Sequence, residues 1–509
     1  MNGLRRTLAA LSIPLLLAAC GPKAGDDVAA PRPDDECVPP PIVTAGLCEG
    51  IDSLGQLRAN LPADVDRDPM TLPDPAERQR LFDCLSWLTF VSLNWPAEPG
   101  CRGVPDVDAT IADASGTLVW ETFKEVYEVF QSQDAGWNLD ERPWPTPQPA
   151  AVCSDVAGDR KVLRMDTKQR STSRVPDVGN EIEQAFAGGF GTLVDQTPEL
   201  VRYEVRLNRD EFEYIRDNGF AATPNYSYGG PNGGGVTLPD DTTGFQGHGA
   251  IEIKAAWKIL GPGDDSGRFL TREVIVYDPR NTEQCREATA GLVGIHVAHK
   301  THWAPQWVWS TFEQVDNVPP VDGPVAGERY SFFDPKCAAP PASTCAPIVM
   351  PVNDEAARCC ANLQLSPQVF PFPTTANQVT RIDAIGPTAL NAQFQQALAG
   401  TPFENYLLIN TQWPSGGRTA DGGVAPRPCN PDTFVPIQPV EDDCYTMVPQ
   451  HLRNTSMETY MVNYGTGLEP LSSTGCMECH ASAGVDASYV WLDAQLQPLP
   501  IAEGAGEGP

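Results

Sequence analysis

Five residues near the end of the chain, Cys476-Met477-Glu478-Cys479-His480, restrict its fold more than any other feature. Only 29 residues follow them, and none of those is Met, His or Lys. Two cysteines three positions apart share one face of a helical turn, where each thiol can add to a vinyl group of a haem, and the adjacent histidine can reach the iron from one side. The competing readings of the pattern are a disulfide, or a thiol pair beside an unrelated histidine. With haem c bound covalently through Cys476 and Cys479 and His480 as the proximal iron ligand, a ligand on the opposite side has to come from upstream sequence. A small helical C-terminal haem-binding module over 451–509 is therefore expected to pack on a large β-rich domain over 37–450 that encloses the group.

In the small, common c-type domains the motif lies early and the second ligand follows it, so this chain departs from that order. The upstream histidines are His248, His296, His299, His302 and His451. Three of them fall in Ile295-His296-Val297-Ala298-His299-Lys300-Thr301-His302. In a strand, side chains alternate, which puts His296 and His302 on one face and His299 on the other, so one metal held by all three is not expected. His299 and His296 lie inside the apolar strand pattern and His302 at its end, which makes His299 and His296 the candidates for the opposite iron ligand. The bland reading of each is a core histidine bonded to backbone. Met457 and Met461 sit one turn apart before the motif, a placement that suits packing against a ring.

The chain opens with Arg5 and Arg6 and an apolar run over 8–17, too short to span a bilayer comfortably and placed where an export signal belongs. Leu17-Ala18-Ala19-Cys20 follows and resembles the lipobox of bacterial lipoproteins. That resemblance implies removal of residues 1–19 and acylation of Cys20, so that lipid rather than a spanning helix ties the protein to the membrane. Gly21, where Asp would favour the inner membrane, implies outer-membrane placement in the cell envelope, facing the periplasm or the exterior. Residues 20–36 are rich in Pro, Ala and Asp and read as a flexible tether.

Fifteen cysteines fit an oxidising compartment: setting aside Cys20, Cys476 and Cys479 leaves twelve, an even number compatible with disulfides. Close spacing suggests local staples Cys37–Cys48, Cys337–Cys345 and Cys429–Cys444. The formal charge of −31 argues against nucleic acid or an anionic lipid surface as a partner. It suits a basic redox partner protein, although solubility is the simpler reason for it.

Fifty prolines and 44 glycines predict many loops and few long helices. Helical spacing of apolar residues predicts a helix over 73–95, closed by Pro96, and a second over 120–131 whose aromatic stripe reads as core. Shorter helices are expected near 181–187, 210–217 and 389–399. Alternating segments over 199–207, 250–260, 269–278, 289–301 and 306–315 predict strands, three of them consecutive and suited to an antiparallel meander flooring a cavity. Thr455 and Glu458 form a capping-box pattern ahead of a short helix over 456–464. Asp64, Asp66 and Asp68 begin like a calcium loop, but Pro69 stands where further ligands and a Gly are needed. The fold class expected is α+β: a central sheet, flanking short helices and many disulfide-tied loops.

Several stretches (WLTFVSLNWP at 87–96, WETFK at 120–124, IEIKAAW at 251–257, GIHVAHK at 294–300, WVWSTFEQVDNVP at 307–319 and NTSMETY at 454–460) resemble a family of large bacterial exported lipoproteins ending in a single c-type haem motif. The resemblance implies haem c and export, and it implies no substrate. The expected function is that of a c-type cytochrome lipoprotein, transferring electrons outside the cytoplasm. The alternative is a haem c-dependent oxidoreductase with an open distal side, acting on peroxide, a nitrogen oxide or an organic substrate, as the chain's length beyond that of a mere carrier allows.

Overall fold

The computed structural model describes residues 30–130, 138–147, 153–157, 160–163, 193–221, 236–278, 281–337, 376, 378–381, 384–418, 423–424, 427–428, 444–459, 475–480 and 485–491. A short parallel pair joins β1 (Val43–Ala45) to β2 (Pro62–Val65). The main sheet runs β11 (Arg427–Pro428), β12 (Cys444–Val448), β10 (Tyr406–Ser415), β9 (Val308–Gln314), β8 (Asn281–His299), β6 (Ile251–Ile259), β5 (Arg202–Leu207), β3 (Lys124–Glu125). Beside β8 lies β7 (Thr271–Asp278), and beside that β4 (Lys161–Val162). The described helices are α1 (Pro75–Leu93), α2 (Val126–Val129), α3 (Ser154–Ala157), α4 (Arg209–Asp217), α5 (Thr388–Ala397) and α6 (Cys476–His480). The protein thus has a mixed fold, with a large, mostly antiparallel sheet, a few helices and disulfides.

The strands predicted from alternation are present, but their order is not a simple meander. β8 is 19 residues long, enough to carry different partners along its length. Ala290 and Gly291 pair with β6 on one edge and with β7 on the other, and further along β8 the edge taken by β7 passes to β9. β6 therefore neighbours β5 and β8 rather than β7.

Helix α1 matches its prediction. Asp74 caps it, its side chain accepting from the Ala76 N–H at 2.9 Å, and Pro75 takes the first position, where no N–H is needed. Its buried side packs on one face of β9 and β10: Trp87 stacks on Phe394 and meets Phe312 edge-on, and Phe90 stacks on Phe312. The Ser86 hydroxyl, buried there, bonds the Ser310 and Thr411 hydroxyls at 2.7 Å each, which satisfies polar groups that burial would otherwise penalise.

The helix predicted over 120–131 is broken into a single 3-10 turn (Trp120–Thr122), β3 and the four-residue α2. Pairing with β5 overrides the helical spacing: Lys124 opposes Leu207, and Arg206 bonds the Phe123 carbonyl and the Glu125 carboxylate, both at 2.8 Å. The aromatic stripe is core all the same, with Trp120, Phe123, Val126 and Phe130 buried. α4 and α5 match their predicted positions; the helix expected near 181–187 and the leader with Cys20 lie outside the described residues.

Two cysteine pairings differ from expectation. Cys37 bonds Cys101 and Cys48 bonds Cys84, so the local Cys37–Cys48 staple does not form; a third bridge, Cys153–Cys285, closes a separation of 132 residues. Cys37 is carried away from Cys48 because residues 30–36 are docked rather than loose: Arg32 N–H donates to the Gly100 carbonyl, and Arg32 pairs with Glu98 at 2.6 Å. Arg209 holds Asp34 at 2.6 Å, so the latter half of the expected tether is part of the folded body. Cys48 meets α1 instead. Cys337 and Cys444 are also disulfide-bonded, and Cys345 and Cys429 lie outside the described residues.

Candidate functional site

Alternation gives the centre of the sheet two buried faces. Ile253, Val297 and Phe312 point toward the side covered by α1, whereas Glu252, Lys254, His296, Trp309, Thr311 and Glu313 share the other face by register. A polar face of this kind ordinarily meets water. Here the C-terminal segment covers it.

That cover is hydrogen-bonded in detail. Asn454 Nδ2 donates to Thr311 Oγ1 and to the Phe312 carbonyl at 3.0 Å, Tyr203 OH donates to the Ser456 carbonyl at 2.8 Å, and Thr455 donates from N and Oγ1 to Glu313 at 2.7 and 2.6 Å. A Cβ on Gly294 would stand 3.1 Å from Asn454 Oδ1 and collide with Ser456 Oγ, so glycine is what admits the segment this close to the sheet. The helix expected over 456–464 is a turn over its described residues. Its cap is shifted by one residue: Asn454, not Thr455, receives the Glu458 carboxylate on its N–H at 2.8 Å, because the Thr455 hydroxyl is committed to Glu313.

Past the cover stands α6. Gly475 precedes it under Gln412, whose Oε1 accepts from the Met477 N–H at 3.1 Å while its Nε2 donates to the Pro449 carbonyl at 2.7 Å. Strand β10 thus orients the first turn of α6. His480 Nδ1 donates to the Ala487 carbonyl at 2.8 Å, which leaves Nε2 as the nitrogen with a lone pair. Asp486 and Ala487 adopt left-handed backbone angles that aim this carbonyl, and Ser488 N–H closes the turn on the Val485 carbonyl at 2.8 Å. The His480 ring lies between Trp309 and Tyr489, with ring centroids 4.3 and 4.9 Å away.

Between α6, the cover and the sheet lies a cavity of about 80 Å³. Cys476 and His480 line it from the helix, Lys254, His296 and Trp309 from the sheet, and Glu458 from the cover. His296 Nε2 donates to Glu458 Oε1 at 3.0 Å. Burial alone would raise the Glu458 carboxyl, but His296, Lys254 and the Asn454 N–H outweigh it and hold the group at about 2.

A carboxyl lowered on folding adds stability above its unfolded value of 4.5 and loses it as pH falls toward 2. Glu458→Gln is expected to cost about 2–3 kcal/mol at pH 7 and much less at pH 3, read from urea unfolding of both proteins at the two pH values.

The other sequence candidates fall elsewhere. His299 faces α1's side of the sheet and is 2 % exposed; its Nε2 donates to the His248 carbonyl at 2.7 Å, and burial brings it down to about 4. His302 lies beyond the end of β8, its ring edge-on to Trp303, so it shares no strand face with His296. Met457 is buried in a separate apolar cluster with Tyr203, Val293 and Phe332, and Met461 lies outside the described residues. Asp64, Asp66 and Asp68 do not converge: Asp64 accepts from the Trp303 N–H, Asp66 pairs with Arg67, and Asp68 caps a turn. Among the described residues, no group of three or more His, Cys, Asp or Glu is arranged to hold a metal ion.

Trp309, which the sequence offered either as pocket lining or, preferably, as core, lines the cavity, and so does Glu458, which the sequence marked only as a helix cap. Counting register from His296 across the β8–β9 turn would have put Trp309 on the same face.

Comparison with protein-family models, curated proteins and solved structures finds no match to this chain.

Proposed function

We propose that the chain is a c-type cytochrome, with one haem joined to Cys476 and Cys479 and with His480 as an axial ligand, transferring electrons outside the cytoplasm to or from a redox partner protein. The observation that carries this reading is that Cys476 and His480 line one cavity while His480 Nδ1 is committed to the Ala487 carbonyl. A metal-ligating histidine characteristically donates its second nitrogen in this way, which fixes the tautomer and the ring. Haem would supply a one-electron iron couple; the chain's own residues bind, orient and shield it. Trp309 and Tyr489 restrain the imidazole, and Gln412 holds the start of α6. His296 is the better placed of the two opposite-side candidates, since it lines the cavity and His299 does not. The lipid anchor at Cys20, the outer-membrane address and the helical character of the C-terminal module belong to the same proposal.

One observation favours the oxidoreductase reading instead. His296 gives Nε2 to Glu458, and an imidazole–carboxylate pair facing a cavity is a proton acceptor rather than a ready iron ligand.

The test is the optical spectrum of protein matured in a host that exports it and attaches haem, taken oxidised, reduced and under carbon monoxide. A c-type spectrum indifferent to carbon monoxide is expected for electron transfer. Rapid carbon monoxide binding supports the oxidoreductase, and colourless protein overturns both.

A further inference from the structure

A second set of ionisable groups meets the cavity through Glu252. Glu252 stands in β6 on the covered face of the sheet and lines the cavity. Behind it lies Glu211, the third residue of α4, with no exposed surface. A glutamate at this helix position often reaches back to the capping residue's N–H. Here the Asn208 N–H is given to the Ile251 carbonyl, and Glu211 turns inward.

Neither oxygen of Glu211 meets a hydrogen-bond donor. Its carboxyl meets that of Glu252 instead. Two acceptors facing one another make a hydrogen bond only when one carries a proton, and two buried carboxylates in contact do not both ionise. Neighbouring charge does not change this. Lys300 is the nearby cation, and it is committed to Asp486, whose own charge adds to the repulsion at Glu211. Asp486 also accepts from the Leu238 N–H at 2.7 Å. On α4, Asp210 accepts from the backbone N–H groups of His248 and Gly249, while Arg209 pairs with Glu213. Further along β6, Lys254 lies near Glu458 and over the Tyr203 ring; Tyr445 of β12 lies near Asp486; and burial keeps His248 neutral.

We propose that Glu211 and Glu252 share one proton in the cavity wall, and that this pair gains or loses the proton as the charge in the cavity changes, so that taking up an electron there is coupled to taking up a proton. The coupling rests on the cytochrome reading; the shared proton does not. The balance is one electron from the redox partner to the bound group and one proton from water to the carboxylate, with the reverse on oxidation. A pair buried in the wall of a low-dielectric cavity feels a change of unit charge strongly, because little water stands between to screen it.

Infrared spectroscopy of the purified protein at neutral pH tests the first part. In wild-type-minus-variant difference spectra, which cancel the bands of Asp64 and Asp83 that burial raises to about 7, a carboxylic-acid C=O band is expected against both Glu211→Gln and Glu252→Gln; its absence from both difference spectra overturns the shared proton. Two independent, nearly isosteric variants guard against a folding defect in either. Redox titration tests the second part. The potential is expected to fall by up to about 59 mV per pH unit over part of the neutral range, the slope for one proton per electron, and the C=O band to differ between the oxidised and reduced forms. A potential and a band that ignore pH and redox state overturn the coupling. Colourless protein overturns the cytochrome reading and the coupling with it, while the infrared band still decides the proton.

Discussion

With Cys476 and Cys479 both changed to serine, the chain is expected to leave an exporting, haem-attaching host without covalent haem: the denatured protein carries no haem stain, and its intact mass lacks one porphyrin. The single variants should each keep one thioether link and a shifted reduced band. His480→Ala should differ in kind, with haem attached where attachment tolerates it but with the iron's ligand field changed. The physical reason for separating these outcomes is that the two sulfurs make bonds to carbon and the imidazole makes a bond to iron. The fold should survive in all four variants, since each keeps Gln412 and the buried Met477, which hold α6. A normal far-ultraviolet dichroism spectrum beside an unchanged haem content in the double serine variant would sink the assignment.

How much of this was legible beforehand differs from one feature to the next. The strand segments around His296 could be read because alternation over 250–260 and 289–301 is strong, and the spacing of three between His296 and His299 puts them on opposite faces whatever the tertiary structure. What alternation does not reveal is which face meets the cavity. Both are buried, one under α1 and the other under the C-terminal cover, and the polar residues Glu252, Lys254, His296 and Glu313 look like the solvent side of an ordinary antiparallel sheet. The second obstacle is distance along the chain. Cys37 joins Cys101, and Glu313 takes its partners from residues 381 and 455, pairings that no local pattern encodes. The third is competition for one side chain. Thr455 followed by Glu458 is a sound capping pattern, but the Thr455 hydroxyl is drawn to the buried Glu313 carboxylate, so the cap moves to Asn454.

That same Glu313 is where the largest loss of stability is expected. It is fully buried in β9, and its two oxygens take the Arg381 guanidinium at 3.3 and 2.7 Å together with the N–H and hydroxyl of Thr455. Arg381 is itself almost wholly buried, its side chain 5 % exposed. Glu313→Ala therefore leaves a cation without its counter-charge and an amide without its acceptor, a loss of about 3–5 kcal/mol expected in urea unfolding at pH 7. Removing both charges with Glu313→Gln and Arg381→Met should recover most of that loss, because the cost lies mainly in stranding one partner and a buried pair contributes little beyond an apolar replacement. The consequence reaches the cavity. Thr455 is three residues from Glu458, so freeing it slackens the turn that brings Glu458 to His296. In Glu313→Ala the pH-linked stability ascribed to Glu458 should shrink along with the overall loss, and in the double variant it should return. An unfolding free energy for Glu313→Ala within about 1 kcal/mol of the wild type would mean that Arg381 and Thr455 find other partners and that the C-terminal cover is held chiefly by its remaining bonds.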